Sequence, residues 1–391
     1  MSFYHLSISV LKVGRQLVGS LTVAAFFMSK RQFQTLTQAP LTFQKFKTFG
    51  KFTVVPSPSI RLNYSFLLIT FSLMLLQGCI REEDPVVPHI AGSIVSRSIA
   101  LSSDYRSQVF YNLDKDSIVN RSLKTDWDIA FDVNDILTNQ LGVITEGGKV
   151  YLNQAKYMFA WRTNKTELEQ LKDTTGFFKN RSWDASNNPD TFAIGVAKAQ
   201  NNVYWIDRGL NQFNDPLDYV RFKIVSVSKE KYVFKILREG TTVSEQFEIQ
   251  RDTNYNRVYF SFETNKAVKV EPKKTEWDLQ FTQYMYTFHD PYTPYLVVGV
   301  LLNPHNTQGV ADSTLTFEKI DRTVAQNLKL TNQTDVIGYN WKVFANNIYK
   351  IQLTYNYVVN DQKGYLWKMR FVDFYDSKGT KGTPKFEFQR L

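Results

Sequence analysis

Apolar and polar positions alternate along residues 349–357, placing Tyr349, Ile351, Leu353, Tyr355 and Tyr357 on one face and Lys350, Gln352, Thr354 and Asn356 on the other. A period of two marks a strand with one buried and one wet face, because successive side chains of an extended chain point to opposite sides. The turn-forming stretch Asn360-Asp361-Gln362-Lys363-Gly364 follows, and residues 365–374 return rich in aromatic and β-branched side chains, which predicts an antiparallel hairpin. Residues 220–227 and 231–237 flank Ser228-Lys229-Glu230 in the same way. Helical signals are few: Thr166-Glu167-Leu168-Glu169 reads as a capping box opening a short helix that ends near Lys172. From Gln108 onward the pattern predicts an all-β chain of mainly antiparallel sheets with little helix.

A long-period echo divides this body. Val109-Phe110-Tyr111-Asn112-Leu113, then Thr125-Asp126-Trp127-Asp128-Ile129-Ala130-Phe131, matches Val258-Tyr259-Phe260-Ser261-Phe262, then Thr275-Glu276-Trp277-Asp278-Leu279-Gln280-Phe281. The two tryptophans are 150 residues apart. Propeller blades recur every ~40–45 residues, so two Trp-Asp copies at this spacing imply two related β units instead, 96–250 and 251–391.

Ahead of the body, residues 66–76 are uncharged and apolar, preceded by Arg61 and followed by Gln77-Gly78-Cys79. A basic start, a short apolar core and a small residue at the end make 61–78 a secretory signal, too short to read as a membrane span. Leu76-Gln77-Gly78-Cys79 resembles the bacterial lipobox, which makes Cys79 the lipidated first residue of the mature chain. Residues 79–95, acidic and then punctuated by Pro85 and Pro88, read as an extended tether. Residues 1–60 are read as an over-extended start, with translation beginning near Arg61. The alternative makes 17–28 a first apolar anchoring or targeting segment.

Charge then narrows the function. The net +10 is concentrated at the start, where residues 1–78 carry eight basic residues and no acid; the rest holds 39 basic against 37 acidic residues. A phosphate-binding surface needs a cluster of uncompensated Lys and Arg, so nucleic acid is not expected as a partner. A single cysteine excludes a disulfide framework and a cysteine-based zinc site. There is no His-Glu-x-x-His, no phosphate loop and no nucleophile elbow. Asp128 and Asp278 form a conceivable carboxylate pair for glycoside hydrolysis. Their equivalent places in two repeats instead suggest capping or pairing within each unit, and no enzyme is expected.

The Trp-Asp strands, Ile337-Gly338-Tyr339-Asn340-Trp341, residues 349–357, Phe371-Val372-Asp373-Phe374-Tyr375 and residues 381–388, together with the lipobox, resemble the HmuY family of Bacteroidetes lipoproteins. The resemblance covers 255–391 well and 100–160 more weakly. It implies an all-β outer-membrane lipoprotein at the cell surface, held in lipid through Cys79, that captures haem for iron acquisition and passes it to a TonB-dependent receptor. Acidic Glu82, Glu83 and Asp84 resemble surface-export signals of such lipoproteins.

The haem-binding type members use two histidines, and neither carries over. Five residues after each Trp stand Asp132 and Thr282, while Tyr339 and Asn340 occupy the later region. The mature chain has only His89, His289 and His305, with His89 in the tether. An axial ligand would then be His289, with Met285, Tyr284 or His305 as partner, since imidazole, thioether and phenolate all ligate haem iron. Tyr286, Phe288, Tyr292, Tyr339 and Trp341 would supply an apolar wall. The alternative keeps the fold but binds a glycan or a protein partner without iron, with His289 in a loop and the tyrosines filling a sheet face.

Overall fold

The computed structural model describes residues 91–133, 137–138, 144–146, 148–188, 192–196 and 202–391. Cys79, the signal at 61–78 and the tether up to residue 90 lie outside them. The chain divides into Met1–Asp84 and Pro85–Leu391, and all described residues belong to the second unit.

That unit is built from antiparallel sheets. One five-stranded sheet runs Val95–Ser98, Lys381–Arg390, Leu366–Tyr375, Asn356–Asn360, Gln308–Asp312; another runs Glu245–Gln250, Lys231–Arg238, Tyr219–Val227, Val203–Asp207, Phe159–Arg162. A third has Lys266–Val268, Arg257–Ser261, Ile129–Asp132, Lys149–Leu152 and Gly195–Val196. The fourth has Tyr292–Leu302, Leu279–His289, Ser107–Asn112 and Ser117–Leu123. The hairpin read at 220–237 forms as Tyr219–Val227 against Lys231–Arg238, with Ser228 Oγ accepting the N–H groups of Glu230 and Lys231 at the turn.

Two local expectations need correction. The helix expected from Thr166 is one 3₁₀ turn, Leu168–Gln170, and its capping box uses Glu167 and Gln170, one residue later than read. The alternating run at 349–357 is not one strand but two, Ile348–Ile351 and Asn356–Asn360, with Leu353 exposed between them. Gln352 donates its backbone N–H to Trp341 O (2.8 Å) and its side-chain amide to Asn340 O (2.7 Å). Those bonds turn the chain out of the small Lys342–Ala345/Ile348–Ile351 hairpin before it enters the five-stranded sheet. Alternation reports which face each residue prefers, and is blind to a turn that keeps the parity.

The two Trp-Asp segments sit in matching surroundings, and strands from either side of residue 250 pair with one another. Ser107–Asn112 of the first unit pairs with Leu279–His289 of the second, with Tyr111 opposite Leu279. Arg257–Ser261 of the second pairs with Ile129–Asp132 of the first, with Phe260 opposite Ile129 at the corresponding register. Trp127 meets Tyr259 edge-on at 4.9 Å, and Trp277 meets Phe110 edge-on at 5.0 Å. Asn153 caps Lys124 O and Trp127 O (both 2.7 Å), as Asn303 caps Lys274 O (2.8 Å) and Trp277 O (2.7 Å). Residue 250 therefore does not separate the sheets. Asp128 does both kinds of work, pairing within its own unit with Lys156 and Arg208 and accepting the Phe262 N–H (2.6 Å) from the other, while Asp278 accepts the Leu113 N–H (2.8 Å) of the other unit.

Candidate functional site

The longest hairpin, Leu279–His289 with Tyr292–Leu302, carries most of the residues singled out from sequence. Its inner end is core: Leu279, Phe281, Val300 and Leu302 are buried beside Trp341, Phe371 and Phe386. Its outer end presents two different faces, because side chains alternate.

One face is covered. Met285 is fully buried with Phe159, Leu168 and Trp205. Thr287 is held by Asn187, which accepts its N–H (2.8 Å) and donates to its carbonyl (2.9 Å), while Trp183 Nε1 donates to its hydroxyl (2.9 Å). His289 shares this parity at the exposed tip, its ring 6.0 Å from that of Tyr292, which in turn packs 5.2 Å from Trp183.

The other face is open and aromatic. Tyr286 lies opposite Tyr295 in the ladder. Ring centroids run from Tyr339 to Tyr286 at 5.0 Å, Tyr286 to Phe288 at 5.2 Å and Phe288 to Tyr295 at 6.0 Å. Phe288 is 36% and Tyr295 60% exposed. Tyr339 reaches Tyr286 because the preceding residues dock on the hairpin: Val300 and Gly338 exchange backbone bonds of 2.9 and 3.0 Å. A Cβ on Gly299 would sit 2.2 Å from Gly338 O, so only glycine permits this approach.

The structure therefore brings together Tyr286, Phe288 and Tyr339 of the expected wall and excludes two others from it. Tyr292, itself 54% exposed, lies on the opposite face with His289 and Trp183. Trp341 is fully buried, stacked on Phe371 at 4.1 Å, and belongs to the core. Tyr295 was missed, and its signal is the Tyr292-Thr293-Pro294-Tyr295 stretch, which becomes readable once the hairpin register is known.

The expected ligand set also separates. Tyr284 is buried on the open-face side, its hydroxyl without a hydrogen-bond partner and its pKa raised well above the usual value by burial. Met285 is sealed in the core. His305 follows Asn303 at the opposite end of the hairpin from His289; ten residues of strand at ~3.3 Å each put them roughly 33 Å apart, too far to share one iron. Among the described residues, no group of three His, Cys, Asp or Glu side chains is placed to hold a metal.

Asp128 and Asp278 are buried and engaged. Asp128 is ion-paired with Lys156 and with Arg208 (3.3 Å), whose other nitrogens bind Asp218 and Glu263. Asp278 is pushed up to about 6, by burial first and by Asp361 as well.

No family model and no curated protein matches the chain. Among solved structures it is similar to an apo HmuY analogue from Tannerella forsythia (10% identity, 78% of this chain and 99% of that one, TM-score 0.22). It is similar also to apo PinO from Porphyromonas (8% identity, 76% and 97%, TM-score 0.22). A third neighbour is described as an HmuY-like haem-binding protein from Bacteroides vulgatus (14% identity, 34% and 82%, TM-score 0.16). The neighbours are HmuY-like structures, and no residue role passes from them to this chain.

Proposed function

We propose that this chain is an HmuY-like surface lipoprotein that captures a flat, largely apolar ligand of the haem class without chemical turnover, and hands it to a TonB-dependent receptor of the outer membrane. The observation that carries the reading is the open strip Tyr339–Tyr286–Phe288–Tyr295 on a rigidly docked hairpin. Aromatic faces left in water at a fixed spacing favour stacking on a planar partner. Anchoring through Cys79 would place that strip outside the membrane. The position of His289 on the opposite face favours the second reading, a glycan or protein partner stacked on the same strip without iron.

The test is a haem titration of the chain read by the Soret band in both iron oxidation states, beside Tyr286→Ala, Tyr295→Ala and His289→Ala. A saturable shifted band weakened by the two tyrosine substitutions supports haem capture on the strip. Weakening by His289→Ala assigns iron ligation to the tip. A band unchanged from free haem removes haem and leaves the glycan or protein reading. Loss of lipid labelling in Cys79→Ser checks the anchor.

A further inference from the structure

The matched segments differ at one place in a way that leaves a buried donor without an acceptor. In the first half, Trp127 Nε1 donates to Gln108 Oε1 (3.0 Å) and Gln108 Nε2 donates to Thr282 Oγ1 (3.1 Å), so the chain of polar groups closes. Extending the matched segments by their own offsets, 150 residues at the tryptophans and 149 at the 109–113 strand, puts Trp277 in place of Trp127, Arg257 in place of Gln108 and Asp132 in place of Thr282. A guanidinium only donates, so it cannot accept from an indole N–H. The structure shows the result. Trp277 Nε1 is buried and has no hydrogen-bond partner. Among the described residues Arg257 makes no ion pair; its guanidinium lies 3.9 Å from the centre of the Tyr151 ring.

Both groups line one cavity of about 240 Å³, whose walls include Tyr151, Tyr259, Phe192 and Gln280. A second cavity of about 400 Å³ shares Arg257, Tyr259 and Glu271 with it. Lys149 also lines the first cavity, 4.8 Å from the Phe192 ring, and makes no ion pair among the described residues. The acid of the cavity, Glu271, is already engaged: Oε1 accepts the N–H groups of Asn256 (2.6 Å) and Arg257 (2.8 Å), and Oε2 accepts from the Tyr259 hydroxyl (3.2 Å). An unmet hydrogen-bond donor in a buried site costs free energy that an incoming acceptor recovers, and a guanidinium binds a carboxylate with the strongest such bonds.

We propose that this cavity is a binding site for a small monocarboxylate with a flat apolar body, its carboxylate taken by Arg257 and the Trp277 N–H and its body held between the aromatic walls. The cavity that holds the Trp277 N–H is itself small, since ~240 Å³ lies below the roughly 300 Å³ at which pockets for drug-sized molecules begin. Asp132 opposite Arg257 in the ladder and Glu271 beside it limit the site to a single negative charge. The site shares no residue with the aromatic strip of the hairpin and stands or falls independently of haem capture.

The experiment uses benzoate as probe on the intact chain, read by tryptophan fluorescence and by the shift of the unfolding midpoint, with benzamide and inorganic phosphate as comparisons. Arg257→Gln is the informative variant, because Gln is the residue that closes the same network in the other half. Saturable binding of benzoate, weakened about tenfold or more both by Arg257→Gln and by exchange of benzoate for benzamide, is the result expected of a charge-assisted contact. Benzamide needs no variant and so keeps the test independent of folding. Equal binding by Arg257→Gln at an unchanged midpoint overturns the site. No saturable signal from benzoate at tens of millimolar overturns it also, and phosphate bound as tightly as benzoate overturns the ligand class.

Discussion

At the scale of single residues, buried charge is the most exposed point of this molecule. Asp128 is completely buried, with Lys156 and Arg208 at 2% and 5% side-chain exposure around it. Asp128→Ala leaves Lys156 without its partner in the interior and is expected to cost roughly 3–5 kcal/mol in urea unfolding. Three other buried groups set two opposite pH trends. Asp278 and Asp184 are held at about 6 against a usual 3.8, in both cases by burial first. The native state therefore keeps these protons longer than the unfolded chain does, and their contribution to stability falls as pH rises from about 4 to about 6. Asp278→Asn, which can still accept the Leu113 N–H, should flatten its share of that fall in a midpoint-against-pH series. Lys342 is lowered to about 7 from 10.5 by burial, under the rings of Trp341 and Phe374. Its native state gives up the proton first, so stability rises with pH from about 7 to about 10.5. Lys342→Met should be most favourable below pH 7 and lose that advantage in alkali.

At the scale of elements, the functional face depends on a contact between backbones. The Tyr292–Leu302 strand admits the 337–341 segment only because residue 299 has no side chain. Gly299→Ala forces a backbone oxygen aside and is expected to cost about 1–3 kcal/mol, the usual range for overpacking, while loosening Tyr339 from Tyr286. The check is paired: the unfolding midpoint, and ligand titration on the aromatic strip. A lower midpoint with unaltered titration would show that Tyr339 is not needed to form the strip. Elements with a local cause were legible in the sequence, such as the 219–238 hairpin around its serine turn. Where the cause was distant the reading slipped. Residues 352–355 break the alternating run because Trp341 O and Asn340 O capture Gln352, and no period within the run reports a partner a dozen residues away.

At the scale of the whole molecule, strand exchange makes the two repeats interdependent. Residues 96–250 expressed alone would lack Arg257–Ser261, the partner of Ile129–Asp132, and 251–391 alone would lack Ser107–Asn112, the partner of Leu279–His289. Neither half is expected to unfold cooperatively by itself, whereas mixing the two should restore a transition; calorimetry of the separate and mixed halves decides it. The sequence alone determined the all-β class, the echo of the Trp-Asp segments at 150 residues, the 220–237 hairpin and three of the four aromatic residues of the open strip, because these follow from local periodicity and from similarity at a distance. Only the tertiary structure decided that strands pair across residue 250, that the two aspartates are buried and each also holds a backbone N–H of the other unit, that Trp341 and Met285 are core, and that His289 faces away from the strip. The reason is physical: alternation assigns a residue to one of two faces, but which face is covered depends on what else in the chain comes to lie against it.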